Sequence, residues 1–202
     1  QIATGRRILA PDDDPQAAQE AIRYRSSLDH VGALLNDLNV SRDWLDATAA
    51  AQGDLAKVLS DARLQGMQAA NDTYSASERE SIAKAVRALF GQAVSIGNSD
   101  QHGQYIFAGF QVGKQPFQAD DATLTVTYGG EDGQITHEIE PGTHATVNIP
   151  GSDPAFGASF AALGDLVKAL EANDGGGIRA AVSSIDTASD LVLRQQAAVG
   201  AR

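Results

Sequence analysis

The chain has 202 residues, 43% of them hydrophobic, which is enough apolar material to bury a core. Against 26 Asp and Glu it has 15 Lys and Arg, and the net charge of −11 repels nucleic-acid phosphates and anionic lipid surfaces. We therefore expect no nucleic-acid and no membrane partner, and the absence of cysteine excludes disulfides, thiolate metal sites and cysteine nucleophiles.

The first part of the chain predicts a long helix. It starts at APDDDP, where Asp14 can cap free backbone N–H groups and Pro15 suits the first helical position. Apolar residues then recur with the three-four spacing of a seam that packs against another helix. They are Ala21, Tyr24, Leu28, Val31, Leu35, Leu38, Leu45 and Ala49, followed by Leu55, Val58 and Ala62. Such a helix is roughly 80 Å long, so we expect a rod with a kink or break around Asn39 to Gly53.

A second helix follows the turn at Asn71, because Ser75 and Glu78 have the spacing of a capping box. The alternating segments TLTVTY and ITHEIE predict two strands joined by the turn formers GGEDGQ, and HATVNI predicts a third strand. Helical patterns return at about residues 159–172 and again after the glycines at 175–177. We expect the last helix to cover the seam of the first, because an exposed apolar stripe favours aggregation.

Between the two predicted architectures lies GQYIFAGFQVGKQPF, residues 103–117. Its aromatic residues are punctuated by glycines and closed by a proline, and glycine and proline interrupt helices. The pattern predicts a crossing in which aromatic side chains anchor the chain as it leaves the helices. Pro116 and Phe117 are expected to start the β-rich part, and Gly109 to Gly113 to act as a hinge.

Together these elements predict a mainly α fold with an inserted β-rich domain. We expect an elongated antiparallel helical bundle from residues 1–108 and 155–202. The β-rich domain is expected from residues 109–154.

Three segments, in order along the chain, resemble motifs of the flagellin superfamily: ATGRRILAPDDDPQAA, DARLQGMQAANDT and LRQQAAVGAR. The resemblance implies a D1-like helical bundle with a D2-like β domain, in a fragment that lacks further terminal segments. The residues that carry it are Gly5, Asp13, Asp14, Pro15, Asn71, Arg194 and Gly200.

Within this superfamily, residues 103–117 resemble the hook-associated protein 3 branch more closely than common flagellins. The matching residues are Tyr105, Phe107, Gly109, Pro116 and Phe117. The resemblance implies a structural subunit without a cofactor that joins the flagellar hook to its filament. The resemblance further implies that this subunit is exported through the flagellar type III secretion channel and lies outside the cell. A short flagellin that forms the filament itself is the alternative.

The same resemblance implies a set of partners. They are neighbouring copies of the chain, a second hook-associated junction protein, flagellin and hook proteins. An export chaperone is implied as well, through a C-terminal segment that is missing here.

A metal site is less well supported by the sequence than a structural role. Imidazole and carboxylate groups suit zinc, but strand alternation directs His137 away from Glu138 and Glu140, and His144 lies beyond a turn. We therefore predict a solvated sheet face and no metal site.

Three further patterns receive structural interpretations. The triplet Asp12 to Asp14 lacks the spaced glutamate of an EF-hand and is predicted to be a helix cap. The glycines at 175–177 lack a following Lys-Ser or Lys-Thr and are predicted to be a helix boundary. No hydrolase motif frames the serines and histidines, so an enzyme or a surface adhesin is the less favoured class. Tyr24 and Trp44 are predicted to pack in the core or between subunits.

Overall fold

A computed structural model gives the fold of residues 15–140 and 142–201. Within these ranges the helices α1, α2, α3 and α4 span Pro15–Ala69, Ala76–Gly97, Pro154–Glu171 and Gly175–Gly200. Six short strands lie between α2 and α3 in the chain. They form three antiparallel hairpins: β1 (Asp100–Gln101) with β2 (Gln104–Tyr105), β3 (Phe117–Asp120) with β4 (Thr125–Tyr128), and β5 (Thr136–Glu140) with β6 (Thr143–Thr146). The predicted mainly α fold with an inserted β-rich part is confirmed.

Helix α1 is one uninterrupted helix of 55 residues, so the break expected around Asn39 to Gly53 is wrong. The physical reason is tertiary packing on both sides of the glycine. Ala51 and Leu55 are buried in the bundle, and this burial offsets the helix-propensity cost of Gly53, which is about 1 kcal/mol.

Helices α1 and α4 run antiparallel and pack closely. Gly66 permits the close approach, because a Cβ at this position would lie 2.6 Å from Cγ2 of Val182. The buried stripe of α4 consists of Ile178, Ala181, Ile185, Ala188, Val192, Gln195 and Val199. The expectation that the last helix covers the first is therefore correct for the part of α1 from about Trp44 to Ala69.

The N-terminal part of α1 is different, because its apolar seam is exposed. Leu28 is 70% exposed and Leu35 is 57% exposed, and the exposure continues to Leu38. Tyr24 is 69% exposed on this stretch, so it does not pack in the core, and packing between subunits stays a prediction, whereas Trp44 is buried. None of the described helices combines the length and the apolar character needed to cross a membrane.

The helix starts are fixed by side-chain caps. Ser75 and Glu78 form the predicted capping box at α2, and the backbone N–H of Ser75 donates to Glu78 Oε2 over 2.7 Å. Asp153 caps α3 and Asp174 caps α4. Because the Asp174 carboxylate accepts from the backbone N–H of Gly176, the glycines at 175–177 form the first turn of α4. The predicted boundary therefore lies just before them.

A buried arginine ties the end of the bundle opposite the strands. Arg79 is only 6% exposed, and its guanidinium donates to the carbonyl oxygens of Ala69 and Asn71 and to Oδ1 of Asn173. Ala69 ends α1, and the free carbonyls of a helix C-terminus carry partial negative charge. Arg79 therefore joins the α1–α2 connection to the α3–α4 connection.

The β hairpins pair differently from the sequence prediction. The two strands expected to be joined by GGEDGQ both exist, but β4 pairs with β3, which was not predicted, and β5 pairs with β6. The reason is that the linking segment is held elsewhere, since the N–H of Glu131 donates to the carbonyl of Ala108 over 3.1 Å. Phe117 and Leu124 of the β3–β4 hairpin join the helical core. The domain boundaries given above stay a prediction.

Replacing Arg79 with methionine should lower the free energy of unfolding by about 2 to 3 kcal/mol, because one buried and two partly buried hydrogen bonds lose their charged donor. Urea unfolding followed by circular dichroism measures this. Lys84→Met is the matched control on the same helix, because Lys84 makes only an exposed ion pair with Glu80, and it should cost less than about 0.5 kcal/mol. Equal effects of the two substitutions would contradict the clamp.

Candidate functional site

The candidate site is the segment of residues 103–117, here called the anchor, which lies between α2 and β3. A tight turn opens it, because His102 and Gly103 both have positive φ, at 53° and 79°. The chain then folds back on itself, with the N–H of Tyr105 donating to the carbonyl of Val112 over 2.8 Å. The anchor is therefore an ordered loop that closes on itself.

The aromatic residues of the anchor belong to a buried cluster. The ring centroids of Phe107 and Phe156 are 4.6 Å apart, and that of Phe117 lies 5.1 to 5.4 Å from those of Tyr128, Phe156 and Phe160. Tilted and edge-to-face contacts at these distances are favourable for aromatic rings. Since Phe156 and Phe160 belong to α3 and Tyr128 to β4, the cluster joins the anchor, the β3–β4 hairpin and the bundle.

Gly109 is the most constrained position of the anchor. It is buried with φ at +66°, and a Cβ here would overlap the backbone carbonyl of Glu131. Only glycine combines this conformation with such close backbone approach. Just before it in the chain, Phe107 O accepts from the N–H of Gly151 over 2.8 Å, and Ala108 O accepts from the N–H of Glu131.

The expected hinge at Gly109 to Gly113 is therefore wrong at its first residue. Gly109 is fixed by backbone contacts, whereas Gly113 has open space around it. Two more glycines make room for aromatic rings. A Cβ at Gly97 or Gly151 would lie 2.7 Å or 2.5 Å from the ring of Phe117.

Two polar side chains complete the anchor, and sequence reasoning missed both. Asn98, the C-cap of α2, bonds the N–H of Phe117 through Oδ1 and its carbonyl through Nδ2, each over 2.9 Å. The hydroxyl of Tyr128 lies 2.8 Å from Glu131 O and 3.1 Å from Phe107 O, and its single hydrogen is shared between these two acceptors. An asparagine just after a predicted helix was a cap signal, but its distant partner could not be read from the sequence.

The residues singled out from the sequence fall into separate places. Phe107, Gly109, Pro116 and Phe117 are buried together, and Tyr105 is half-buried beside them. Asn71 lies at the other end of α2, about 33 Å away along a helix of 22 residues. The remaining positions are as follows. Arg194 and Gly200 are exposed on α4, Pro15 opens α1, and Gly5, Asp13 and Asp14 lie outside the described residues.

Residues 1–112 match the profile of the bacterial flagellin N-terminal helical region, which is more than half of the 202 residues. The chain belongs to the bacterial flagellin family.

Two curated relatives of this flagellin-family chain are flagellar proteins. Flagellar hook-associated protein 3 of Salmonella typhimurium is 27% identical over 155 residues, which cover 75% of this chain and 47% of that protein. Its counterpart in Escherichia coli is 28% identical over 122 residues, which cover 58% of this chain and 37% of that protein. The chain thus spans less than half the length of these curated relatives. The crystal structure of Bacillus cereus FlgL matches with a TM-score of 0.78 at 20% identity, covering 91% of this chain and 89% of that one. This likeness shows a shared fold.

The flagellin-family chain also contains a hydrogen-bonded serine and histidine, Ser41 and His137, whose Oγ and Nδ1 are 2.6 Å apart. The Ser41 hydroxyl donates its single hydrogen to the carbonyl of Asp37, over 2.6 Å. The imidazole must therefore donate through Nδ1–H, whereas a catalytic base would accept the serine proton. The pair does not have the arrangement of a nucleophile and its base.

The residues considered above as zinc ligands also make separate contacts. His137 contacts α1 through Ser41, so it is not on a solvated face as expected, and Glu138 accepts from the N–H of Gly142 over 2.7 Å. Among the described residues, no group of three or more His, Asp or Glu side chains could hold a metal ion.

Replacing Gly109 with alanine should lower the free energy of unfolding by about 2 kcal/mol or more, because the new Cβ needs a strained φ and overlaps a backbone carbonyl. Gly113→Ala is the control in the same loop and should change stability by less than about 1 kcal/mol, since space there is open. Chemical denaturation gives both values. A neutral Gly109→Ala would show that the anchor is pliable.

Replacing Tyr128 with phenylalanine should cost about 1 kcal/mol at pH 7, because Glu131 O and Phe107 O lose a hydroxyl donor. Burial also raises the pKa of the Tyr128 hydroxyl, assisted by the charges of Asp132 and Glu131 and opposed by a backbone hydrogen bond with Gly151. A raised pKa means that the stabilisation is complete below about pH 10 and is lost as the pH rises through the folded-state pKa.

Thermal unfolding between pH 7 and 11 tests the Tyr128 prediction. The melting temperature of the wild type should fall more steeply above about pH 10 than that of Tyr128→Phe. Tyr24→Phe makes the same chemical change on an exposed stretch of α1 and should follow the wild type. Parallel curves for wild type and Tyr128→Phe would contradict the role given to the buried hydroxyl.

Proposed function

We propose that this chain is part of a structural subunit of the bacterial flagellum, at the junction between hook and filament. The observation that carries the proposal is the likeness to flagellar hook-associated protein 3 of Salmonella typhimurium over 75% of the chain. The anchor supports it from the residue side, because Tyr105, Phe107, Gly109, Pro116 and Phe117 are the residues that resemble this branch of the family, and the last four are buried together.

The mechanism that we propose is architectural. A long α1 with an exposed apolar seam is suited to packing against other helices, since such a stripe is unfavourable in water. The anchor fixes where the β-rich part leaves the bundle, so the two move as one body near the aromatic cluster. No cofactor or catalytic group is part of this proposal, and the family-motif residues, including Gly5, Asn71, Arg194 and Gly200, are assigned structural roles.

The partners we propose follow from a place in the junction. They are neighbouring copies of the chain, a second hook-associated junction protein, hook protein on one side and flagellin on the other. We further propose export through the flagellar type III channel with a chaperone that binds a C-terminal segment, and a final place outside the cell. The strongly acidic surface is consistent with protein partners in place of nucleic acid or anionic lipid.

Immunogold electron microscopy of intact flagella tests the location. Antibodies raised against this chain should place gold at a single point between hook and filament, with a deletion strain as the control. Label along the whole filament would make the chain a short flagellin instead. Absence of label from flagella of the wild type would overturn the proposal and favour an enzyme or an adhesin.

A further inference from the structure

The β5–β6 hairpin, residues 136–146 and here called the strap, is attached to the molecule differently from the β3–β4 hairpin. The β3–β4 hairpin contributes Phe117 and Leu124 to the core, whereas none of the described strap residues is buried. The strap is held at its base. Val147 N–H donates to Ile135 O over 2.9 Å, and the Asn148 side chain bonds Ile135 N and Gly133 O, each over 2.8 Å.

The strap also reaches the bundle at α1. Strand β5 packs on α1, and a hydrogen bond from His137 Nδ1 to Ser41 Oγ is part of this contact; Ser41 is buried. The two residues are 96 positions apart in the chain. Because the Ser41 hydroxyl hydrogen is committed to Asp37 O, the bond requires a hydrogen on Nδ1 of His137.

A groove of about 340 Å³ lies between the strap and the helices, with a mainly apolar lining. Leu38, Leu45 and Ala49 of α1 form one wall, and Ile139 and Ala145 of the strap form another. Leu38, Leu45 and Ala49 continue the same seam, which is exposed from Tyr24 onwards. The strap therefore stands over the part of the seam where exposure changes to burial.

We propose that the strap is a releasable cover, latched to α1 by the Ser41–His137 hydrogen bond, that shields Leu45 and Ala49 of the seam. Opening it breaks this hydrogen bond and the packing of β5 on α1, but no described residue of the strap is buried in the core, so it costs less than global unfolding. Release exposes Leu45 and Ala49, which extend the seam that is already exposed from Tyr24 to Leu38. This inference does not depend on the proposed place in the flagellum.

Because the chain has no cysteine, single cysteine reporters test the cover directly. Leu45→Cys lies under the strap, and Ile22→Cys on the exposed part of α1 is the control. Adding Ser41→Ala or His137→Leu should raise the thiol-labelling rate at position 45 by about five- to tenfold, the effect of losing one hydrogen bond on local opening. The rate at position 22 should not change.

His137→Asn separates the latch from mere packing, because the asparagine amide nitrogen can donate from nearly the position of Nδ1. It should keep the labelling rate at position 45 close to that of the latched parent, namely the Leu45→Cys protein with Ser41 and His137 intact. The proposal would be overturned if Ser41→Ala, His137→Leu and His137→Asn all left the labelling rate at position 45 unchanged. It would also be overturned by a rate that rises equally for His137→Asn and His137→Leu.

Amide hydrogen exchange gives an independent measure in the cysteine-free chain. Ser41→Ala should speed exchange in the strap by the same factor as the thiol labelling and leave α3 unchanged. Faster exchange throughout α3 would mean that Ser41 supports the whole bundle, and the proposal of a local latch would then be wrong.

Discussion

The structure depends on one constraint, which is that the chain must leave a helical bundle and return to it without leaving buried backbone groups unpaired. The aromatic cluster meets this constraint. Phe117 packs against Phe156 and Phe160 of α3, while Asn98 bonds both backbone groups of Phe117. Packing and hydrogen bonding thus act on the same residue, at the point where β3 begins.

The two ends of the bundle are closed by different chemistry. At the strand end, ring contacts and glycines allow close approach, as at Gly97 and Gly151. At the other end, Arg79 reaches three oxygens across two helix connections. A cation suits that end because helix C-termini concentrate free carbonyl groups, whereas a helix exit into strands offers both donors and acceptors that an asparagine can bridge.

Stability is distributed unevenly along the molecule. The β3–β4 hairpin is continuous with the core through Phe117 and Leu124, so it should open only with the bundle. The strap and the N-terminal half of α1 carry little buried surface. Both adjoin Ser41, near which the apolar residues of α1 change from exposed to buried. This division suits the proposed role of an assembly subunit, because a rigid body sets its shape while an exposed apolar seam can pack against another helix.

The sequence alone determined the features that depend on neighbouring residues. The capping box at Ser75 and Glu78, the apolar stripe of α4 and the glycine-aromatic crossing at Gly109 were all readable, since helix periodicity and backbone conformation are local properties. The likeness of Tyr105 to Phe117 to one branch of a family was readable for the same reason.

Only the tertiary structure decided which elements meet. The break predicted in α1 failed because α4 packs across Gly53, and the hinge predicted at Gly109 failed because the Glu131 carbonyl occupies the space beside it. Strand pairing was equally undetermined, since alternation marks a strand but not its partner. Contacts such as Asn98 with Phe117 and Ser41 with His137 join residues far apart in the chain, and the folded geometry alone sets them.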